Sequence, residues 1–296
     1  MRLIRKLPRL AARVPEGHKG DYGHVLVVAG SRSMNGAAFL AIQSAMRAGA
    51  GLVHLATPLP SAAVIAPMAP CCIVHPMPAS PDGSMSDQAR GHIGELAKNA
   101  SVVAIGPGLT TSPETRRLVI ALTQELDRPI VLDADGLNAI VDNLYAIDRV
   151  GKPMVLTPHP GEMARLAGLP STADVQGNRV KTAMLFAQRY EIIVVLKGHG
   201  TIVTDGNSMF VNPTGNPGMA SGGTGDVLTG VISALIAQGL TPFDAAVLGV
   251  YVHGLAGDLA AKQKGLVSLI ATDLIDSLPG AFLELEKVDY QVALPG

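Results

Sequence analysis

Six short apolar runs, separated by longer stretches with helical periodicity, constrain the fold of this chain more than any other feature. The runs are continuous rather than alternating, rich in β-branched residues and bounded by glycine or proline. Strands of this kind are buried on both faces, as in a parallel sheet between helices. The pattern therefore predicts a layered α/β fold with a largely parallel sheet. The predicted strands lie within residues 24–30, 51–57, 101–106, 129–135, 153–158 and 191–198.

The intervals between the runs predict helices and one hairpin. In residues 200–212, two short strands flank Asp205-Gly206, which is a strong hairpin signal. The Pro/Ser/Gly-rich residues 77–88 predict a surface loop. Because no low-complexity linker or internal repeat interrupts this order, we expect one domain over residues 1–296. Helices are predicted at residues 37–48, 113–126, 161–167, 174–189, 226–237, 242–262 and 272–284.

Composition argues against several classes of partner. The 296 residues carry a net charge of −1, so no basic surface for nucleic acid is expected. Aromatic residues make up 3% and Trp is absent, which argues against a stacking platform for single strands. The longest apolar stretch, residues 245–261, contains His253 and Asp258 and is too short to span a bilayer. We therefore expect neither a nucleic-acid nor a membrane partner.

The two cysteines and the N-terminal stretch bear on location. Cys71 and Cys72 are adjacent, so they form neither a disulfide framework nor a zinc spacing. The basic start of the chain lacks the apolar core of a secretory signal, although it is Arg-rich and acid-poor like a transit peptide. The sequence predicts a cytoplasmic protein.

The segment GNPGMASGGTGDVLTGVISALI, residues 215–236, concentrates glycine before an apolar helical pattern. Clustered glycine indicates backbone that bends sharply or approaches a ligand closely. The mouth of a helix favours phosphate, because its N–H groups are unpaired and its dipole is positive there. A long turn that ends in Asp226 as an N-cap explains the same residues. The loop alone leaves both interpretations open.

Other polar turns follow the predicted strands. The first strand leads into GSRSMNGAA, which matches neither the G-x-G-x-x-G nor the GxxxxGK[ST] nucleotide motif. The third leads into GPGL. The fourth leads into DADGLN, with Asp133, Asp135 and Asn138. Carboxylates at such positions are often only helix caps, so these side chains alone assign no function.

The fifth and sixth strands add a histidine, a glutamate and a lysine. His159 lies between two prolines, and Glu162 falls in the first turn of the next helix, where it could simply pair with the helix dipole. Lys197 precedes glycines in LKGHGT, and it either snorkels or contacts an anion. Because ligands bind beyond the carboxyl ends of parallel strands, these turns and the glycine loop share one rim. Together they predict a site for a large phosphorylated ligand.

These motifs resemble, in order, those of the ADP-dependent NAD(P)H-hydrate dehydratases of the ribokinase-like superfamily. The motifs are HKGDYGHVLVVAGS, MNGAAFLA, MRAGAGLV, GPGL, VLDADGLN, LTPHPGEMARL, VLKGHGTIV and NPGMASGGTGDVLTGVISALIAQG. GTGD alone is typical of the whole superfamily, whereas its combination with KGDYGHV, PHPGE and KGHGT is specific to the dehydratases. The resemblance extends over about residues 17 to 285. It implies a ribokinase-like three-layer fold.

The resemblance also implies an activity. Members of the family repair hydrated NADH and NADPH: the hydroxyl of the S epimer is phosphorylated from ADP, and phosphate then leaves to restore the ring double bond. AMP and phosphate are the other products, Mg²⁺ is the expected cofactor, and some members use ATP. A homo-oligomer, a tetramer, is expected. Many bacterial members carry an N-terminal epimerase domain, which we expect to be absent here, so that epimerisation is spontaneous or performed by a separate enzyme.

Matching positions carry the expected roles. Asp226 is the expected catalytic base, and Gly222, Gly223, Thr224 and Gly225 form the expected anion hole. The remaining assignments fall into three groups. The hydrate side comprises Ala38, Gly108, His159 and Asp226, the ADP/AMP side comprises Lys197, Gly198, His199, Gly200, Thr201 and Gly225, and Glu162 is expected to hold Mg²⁺ through water.

Two other functions are compatible with parts of this pattern. An ATP-dependent vitamin-precursor kinase of the same superfamily would share the GTGD loop and the base Asp226. It would not need the KGDYGHV, PHPGE and KGHGT motifs. A nucleotide-binding sensor without turnover is a third hypothesis, which the intact Asp226 disfavours.

Overall fold

A computed structural model describes residues 2–148 and 151–287, and within these residues ten strands form a single sheet. The predicted domain of residues 1–296 therefore includes positions outside the described residues. The strands are β1 Arg2–Leu3, β2 His24–Val28, β3 Leu52–Pro58, β4 Ile73–Met77, β5 Val102–Ile105, β6 Ile130–Leu132, β7 Met154–Leu156, β8 Ile193–Leu196, β9 Ile202–Thr204 and β10 Ser208–Val211.

The sheet has the order β1-β10-β9-β8-β7-β6-β5-β2-β3-β4. Only β9 is antiparallel to its neighbours, and the other described pairs are parallel. The predicted, mostly parallel sheet is thus confirmed. So is the hairpin, in which Asp205 Oδ1 accepts the backbone N–H of Asn207 and of Ser208 across the β9–β10 turn.

Eleven α-helices lie in the described residues and cover both faces of the sheet. One layer contains α1, α2, α9, α10 and α11, and the other contains α3 to α8. Because both faces are covered, β5, β6 and β7 are buried along their whole length. The helices are α1 Asn35–Arg47, α2 Leu59–Ile65, α3 Arg90–Ala97, α4 Pro113–Glu125, α5 Asp135–Ile140, α6 Pro160–Leu166, α7 Thr172–Gly177, α8 Arg179–Tyr190, α9 Thr224–Ala237, α10 Pro242–Lys264 and α11 Ala271–Lys287.

Local sequence explains where several helices begin. Ser112 Oγ accepts the N–H of Thr115 at the start of α4, and Thr241 Oγ1 accepts the N–H of Asp244 at the start of α10. Each cap is followed directly by proline, which is favoured in the first helical turn because it lacks an N–H group.

The prediction of one helix over residues 174–189 is wrong. The segment forms α7 and α8, which are separated at Asn178, where φ is −145° and ψ is 42°. Residues 77–88 are also less exposed than predicted, since the Met85 side chain is fully buried and its carbonyl accepts a hydrogen bond from Thr115 Oγ1. The burial of Met85 reflects a tertiary contact that hydrophobic periodicity does not record.

The edge strands and several short helices were not predicted. β1 has two residues, and β4 is a partly exposed edge strand that contains Pro76. Proline is tolerated there because an outer N–H has no strand partner. Helices α2, α3 and α5 have six to eight residues each, too few for a clear helical period.

The sheet has a switch point beside its central strand. β2 lies between β3 and β5, so the chain winds toward one edge through β3 and β4 and toward the other through β5 to β8. In open parallel sheets, ligands bind in the crevice at such a point, beyond the carboxyl ends of the strands. In the part of the chain that the structure describes, no helix is both long and apolar enough to cross a membrane.

We predict opposite effects of alanine at two helical glycines. A Cβ at Gly230 of α9 would overlap the Ala41 carbonyl and the Ser44 side chain of α1, whereas a Cβ at Gly94 of α3 meets no atom within 4 Å. Gly230→Ala is expected to lower the free energy of unfolding by about 1–3 kcal/mol through overpacking. Gly94→Ala is expected to raise it by roughly 0.5–1 kcal/mol. Urea unfolding tests this, and equal shifts would contradict the close α1–α9 packing.

Candidate active site

The carboxyl ends of β5 to β8 and the start of α9 meet at one rim of the sheet. Asp133 directly follows β6, His159 and Glu162 follow β7, and Lys197 follows β8. Asp226 lies in the first turn of α9. The strands thus bring together side chains that are far apart in sequence, as the predicted topology requires.

A buried ion pair lies at the centre of this rim. Lys197 Nζ donates to Asp133 Oδ1 at 2.8 Å and lies 3.9 Å from Glu162 Oε2. Asp133 is 1% exposed, and its second oxygen accepts the hydroxyl of Thr229 on α9 at 2.7 Å. Burial opposes the charge on Lys197, but the carboxylates of Asp133 and Glu162 outweigh it and raise the pKa of Lys197. The ammonium therefore stays charged, and the alternative that Lys197 snorkels to solvent is wrong.

Asp133 binds Lys197 and Thr229 rather than capping a helix. Asp135, in contrast, begins α5, and its Oδ2 accepts the N–H of Thr110 at 2.8 Å. Of the two aspartates in DADGLN, Asp133 therefore lies at the core of the site, whereas Asp135 binds the turn after β5.

Asp226 has the environment of a base that works near neutral pH. Burial raises its pKa, and the charge of Asp133 adds to the effect, while Lys197 opposes it; the result is a pKa of about 7. A carboxylate with an ordinary pKa is a weak base, whereas one poised near the ambient pH accepts a proton effectively.

His159 and Glu162 form a capping box at the start of α6. His159 Nδ1 accepts the N–H groups of Gly161 and Glu162, and Glu162 Oε2 accepts the N–H of His159. Burial, with the charge of Lys197, lowers the pKa of His159, so the ring is neutral with its proton on Nε2. Burial likewise raises the pKa of Glu162. Glu162, which could have been only a partner of the helix dipole, thus caps α6, and its carboxylate also faces Lys197.

The glycine loop ends at the mouth of α9 in a fixed conformation. Gly223 precedes the helix with φ of 93°, a left-handed conformation that favours glycine. Thr224 Oγ1 donates to the carbonyls of Met219 and Ser221, at 3.0 and 3.1 Å. A Cβ at Gly225 would lie 3.2 Å from Lys197 Nζ. The helix mouth therefore presents its backbone N–H groups beside a fixed cation, an arrangement that suits an anion.

A cavity of about 400 Å³ opens between this loop, the turn after β8 and α10. Every residue expected on the ADP/AMP side borders it, although those assignments rested on motifs from two separate parts of the chain. Residues of the segment after β10 and of α10, including Asn212 and His253, complete the wall. The cavity lies next to the Lys197 cluster, because Lys197 and Gly225 belong to both.

The residues expected to bind the hydrate differ in their exposure. His159 has a half-exposed side chain, whereas Ala38 and Gly108 are buried. Gly108 has φ of 65°, and a Cβ there would lie 2.7 Å from the Met34 Cβ at the start of α1. Gly108 therefore lets the turn after β5 approach the start of α1 closely, and neither Ala38 nor Gly108 presents exposed atoms.

Sequence reasoning missed several residues that hold the site. Arg179 of α8 donates to the carbonyls of Leu196 and Lys197, at 3.1 and 3.2 Å, and so fixes the turn after β8. Asp258 of α10 accepts the Gly215 N–H and the Asn216 side chain, both at 2.9 Å. No motif marks Arg179. His253 and Asp258 were visible as polar positions in an apolar helix, which is the signal that could have identified them.

The described residues contain no cluster of three or more His, Cys, Asp or Glu side chains placed to hold a metal ion. Two of the carboxylates at the rim are occupied: Asp133 binds Lys197 and Thr229, and Glu162 Oε2 caps α6. Mg²⁺ commonly keeps several waters and binds through one or two carboxylates plus substrate phosphates. The expected contact of Glu162 with Mg²⁺ through water is compatible with this arrangement.

Comparison with known proteins decides the family. A family model described as NAD(P)H-hydrate dehydratase matches residues 25–280. The chain belongs to the NAD(P)H-hydrate dehydratase family. The family predicted from the motifs is thus confirmed, and so is the ribokinase-like fold.

Two relatives show how much of the chain is shared. The bifunctional NAD(P)H-hydrate repair enzyme Nnr of Moorella thermoacetica is 44% identical over 284 residues, which cover 95% of this chain and 53% of the relative. The enzyme of the same name from Escherichia coli K12 is 37% identical over 270 residues, or 91% of this chain and 49% of the relative. The chain therefore spans about half the length of the curated relatives it matches.

Solved structures agree with this assignment. The ADP/ATP-dependent NAD(P)H-hydrate dehydratase from Bacillus subtilis, co-crystallized with ATP/Mg²⁺, superposes with a TM-score of 0.78 at 32% identity and covers 94% of both chains. A hydroxyethylthiazole kinase from Pyrococcus horikoshii has a TM-score of 0.61 at 21% identity and covers 88% of this chain and 89% of its own. The kinase shares the fold alone.

The buried ion pair predicts a large stability difference between two lysine variants. Lys197→Met leaves Asp133 as an uncompensated buried charge, so it is expected to lower the free energy of unfolding by about 3–5 kcal/mol. Lys98→Met, which breaks an exposed pair with Glu95, is expected to change it little. Adding Asp133→Asn to Lys197→Met is expected to recover part of the loss. Urea unfolding at neutral pH compares the three proteins, and equal losses for the two lysine variants would contradict a buried pair.

Proposed function

We propose that this chain returns the S epimer of NADH hydrate and NADPH hydrate to NADH and NADPH, with ADP as phosphoryl donor and AMP and phosphate as products. The main support is the position of Asp226: a carboxyl with a pKa of about 7 lies in the first turn of α9, beside a cavity bordered by all residues expected to bind ADP. Family membership supports the same conclusion, since the Bacillus subtilis neighbour is an ADP/ATP-dependent dehydratase.

The first step is phosphoryl transfer to the hydroxyl of the hydrate. Asp226 accepts the hydroxyl proton while the oxygen forms a bond to the β-phosphorus of ADP, and the bond from that phosphorus to AMP breaks. The N–H groups at residues 222–225 and the Lys197 ammonium stabilise the negative charge on the transferred group. In the second step the carbon–oxygen bond breaks, phosphate leaves, and the adjacent ring carbon loses a proton to solvent, which restores the double bond. Phosphate is a far better leaving group than hydroxide, so the phosphoryl transfer makes the elimination easier.

Glu162 is the residue that would hold Mg²⁺, through water, with the phosphates of the nucleotide as the other ligands. The ion, when bound, neutralises charge on the phosphates. Lys197 supplies a fixed positive charge beside the same phosphates. The hydrogen bond to the Asp133 carboxylate holds its ammonium group in position.

The proposal extends to assembly and location. We propose a homotetramer in the cytoplasm. The alternative function is an ATP-dependent vitamin-precursor kinase. The fold shared with the Pyrococcus horikoshii kinase is compatible with it. The products separate the two functions, because the kinase would leave a stable phosphorylated alcohol.

The decisive experiment incubates the purified chain with NADH hydrate and Mg²⁺, and with ADP, ATP or no nucleotide. We expect the near-ultraviolet absorbance of the dihydronicotinamide ring to rise only with a nucleotide, faster with ADP, with one AMP and one phosphate formed per NADH. A phosphorylated product that accumulates without restored absorbance would favour the kinase. No reaction with either nucleotide would contradict the proposal.

Asp226→Asn is the matched control for the proposed base. The amide keeps the size of the side chain but cannot accept the proton, so the rate is expected to fall by roughly 10²–10⁴ while ADP still binds. An unchanged kcat would remove Asp226 from the mechanism.

A further inference from the structure

His253 of α10 joins the nucleotide cavity to the mouth of α9. Its side chain borders the cavity, and its Nε2 lies 2.9 Å from the backbone carbonyl oxygen of Thr224. Thr224 is the first residue of α9 and belongs to the expected anion hole. None of the motifs that identify the family contains His253.

The contact fixes the tautomer of the imidazole. A carbonyl oxygen can only accept a hydrogen bond, so Nε2 of His253 must carry the proton. Burial lowers the pKa of His253 to about 4, and the charge of Lys197 acts in the same direction, while the bond to Thr224 opposes them. His253 is therefore a neutral donor throughout the neutral pH range.

Helix α10 holds the glycine loop at both ends. The Val250 carbonyl accepts the Asn212 side chain and the Tyr251 carbonyl accepts the Thr214 hydroxyl, each at 2.9 Å. Asp258 binds the backbone at Gly215. These contacts anchor the beginning of the loop, whereas His253 reaches its end at Thr224.

The peptide that His253 contacts is the one that supplies the Gly225 N–H. Because a peptide unit is planar and trans, its C=O and N–H point in opposite directions. A hydrogen bond to the Thr224 carbonyl therefore fixes the direction of the Gly225 N–H. It also polarises the peptide, since hydrogen bonds in a chain strengthen one another.

We propose that His253 is a positioning residue for phosphoryl transfer, which orients and polarises the Thr224–Gly225 peptide so that the Gly225 N–H stabilises the transferring group. This inference rests on the proposed function. It adds a residue whose contribution is greater in the transition state, where charge develops on the phosphoryl group, than in the bound nucleotide. Its loss should therefore lower kcat more than it raises the KM for ADP.

The test compares His253→Leu, which removes the donor, with His253→Gln, whose amide nitrogen can take the place of Nε2. His253→Leu is expected to lower kcat about tenfold with little change in the KM for ADP, in line with the loss of one hydrogen bond to a peptide. His253→Gln is expected to recover most of the rate. His92→Leu, on the exposed surface of α3, serves as a control with unchanged kinetics.

A second readout needs no substrate. The amide nitrogen of Gly225 responds to hydrogen bonding at the preceding carbonyl, so its ¹⁵N resonance is expected to move upfield in His253→Leu and to stay close to the wild-type position in His253→Gln. If wild type repairs the hydrate but both readouts are unchanged in His253→Leu, the positioning role is overturned while the proposed function stands. A loss confined to KM would equally overturn it. If wild type repairs no hydrate, the proposed function fails, and the resonance alone still decides whether His253 controls the peptide.

Discussion

The ion pair between Lys197 and Asp133 is the interaction on which the rest of the site depends. The Asp133 carboxylate at the end of β6 is buried, and the Lys197 side chain at the end of β8 is 20% exposed. The two charges are tolerated because each is paired and Thr229 satisfies the second oxygen of Asp133. The pair holds a cation against the backbone at Gly225, where any larger residue would press on Lys197. It also places the Asp133 charge close enough to Asp226 to help raise its pKa. This ion pair thus bears on both the proposed anion hole and the proposed base.

The sheet topology explains why these groups meet. Parallel strands end at one rim, so β6, β7 and β8 deliver Asp133, Glu162 and Lys197 side by side, and α9 crosses behind them with its N-terminus at the same place. Helix α10 closes the proposed nucleotide cavity, and its side chains and carbonyls bind the glycine loop and the residues just before it. The strands hold the charged side chains in place, and the C-terminal helices hold the backbone of the glycine loop that faces them.

Much of this arrangement could be predicted from the sequence, because buried parallel strands leave continuous apolar runs and glycine loops leave dense motifs. These patterns predict the strands, the hairpin at Asp205-Gly206 and the rim of the sheet. The partners of Lys197 could not, since the motif VLDADGLN does not say which aspartate turns inward. Arg179 escaped for a similar reason, because it acts through backbone carbonyls of a distant segment and such a contact leaves no local pattern. His253 was visible as a polar position in an apolar helix, but its contact with the Thr224 carbonyl was not. The burial of Met85 likewise depends on packing between elements.

The pKa of Asp226 is the quantity that tests this account most directly. A carboxyl ¹³C NMR titration of the free protein, with the Asp226 resonance assigned by its absence from Asp226→Asn, measures it without any substrate. We expect a midpoint of about 7, because burial and the Asp133 charge outweigh the attraction of Lys197. A midpoint near the ordinary value of about 4 would contradict it, because Asp226 would then be an exposed, ordinary carboxylate and a weak base at neutral pH.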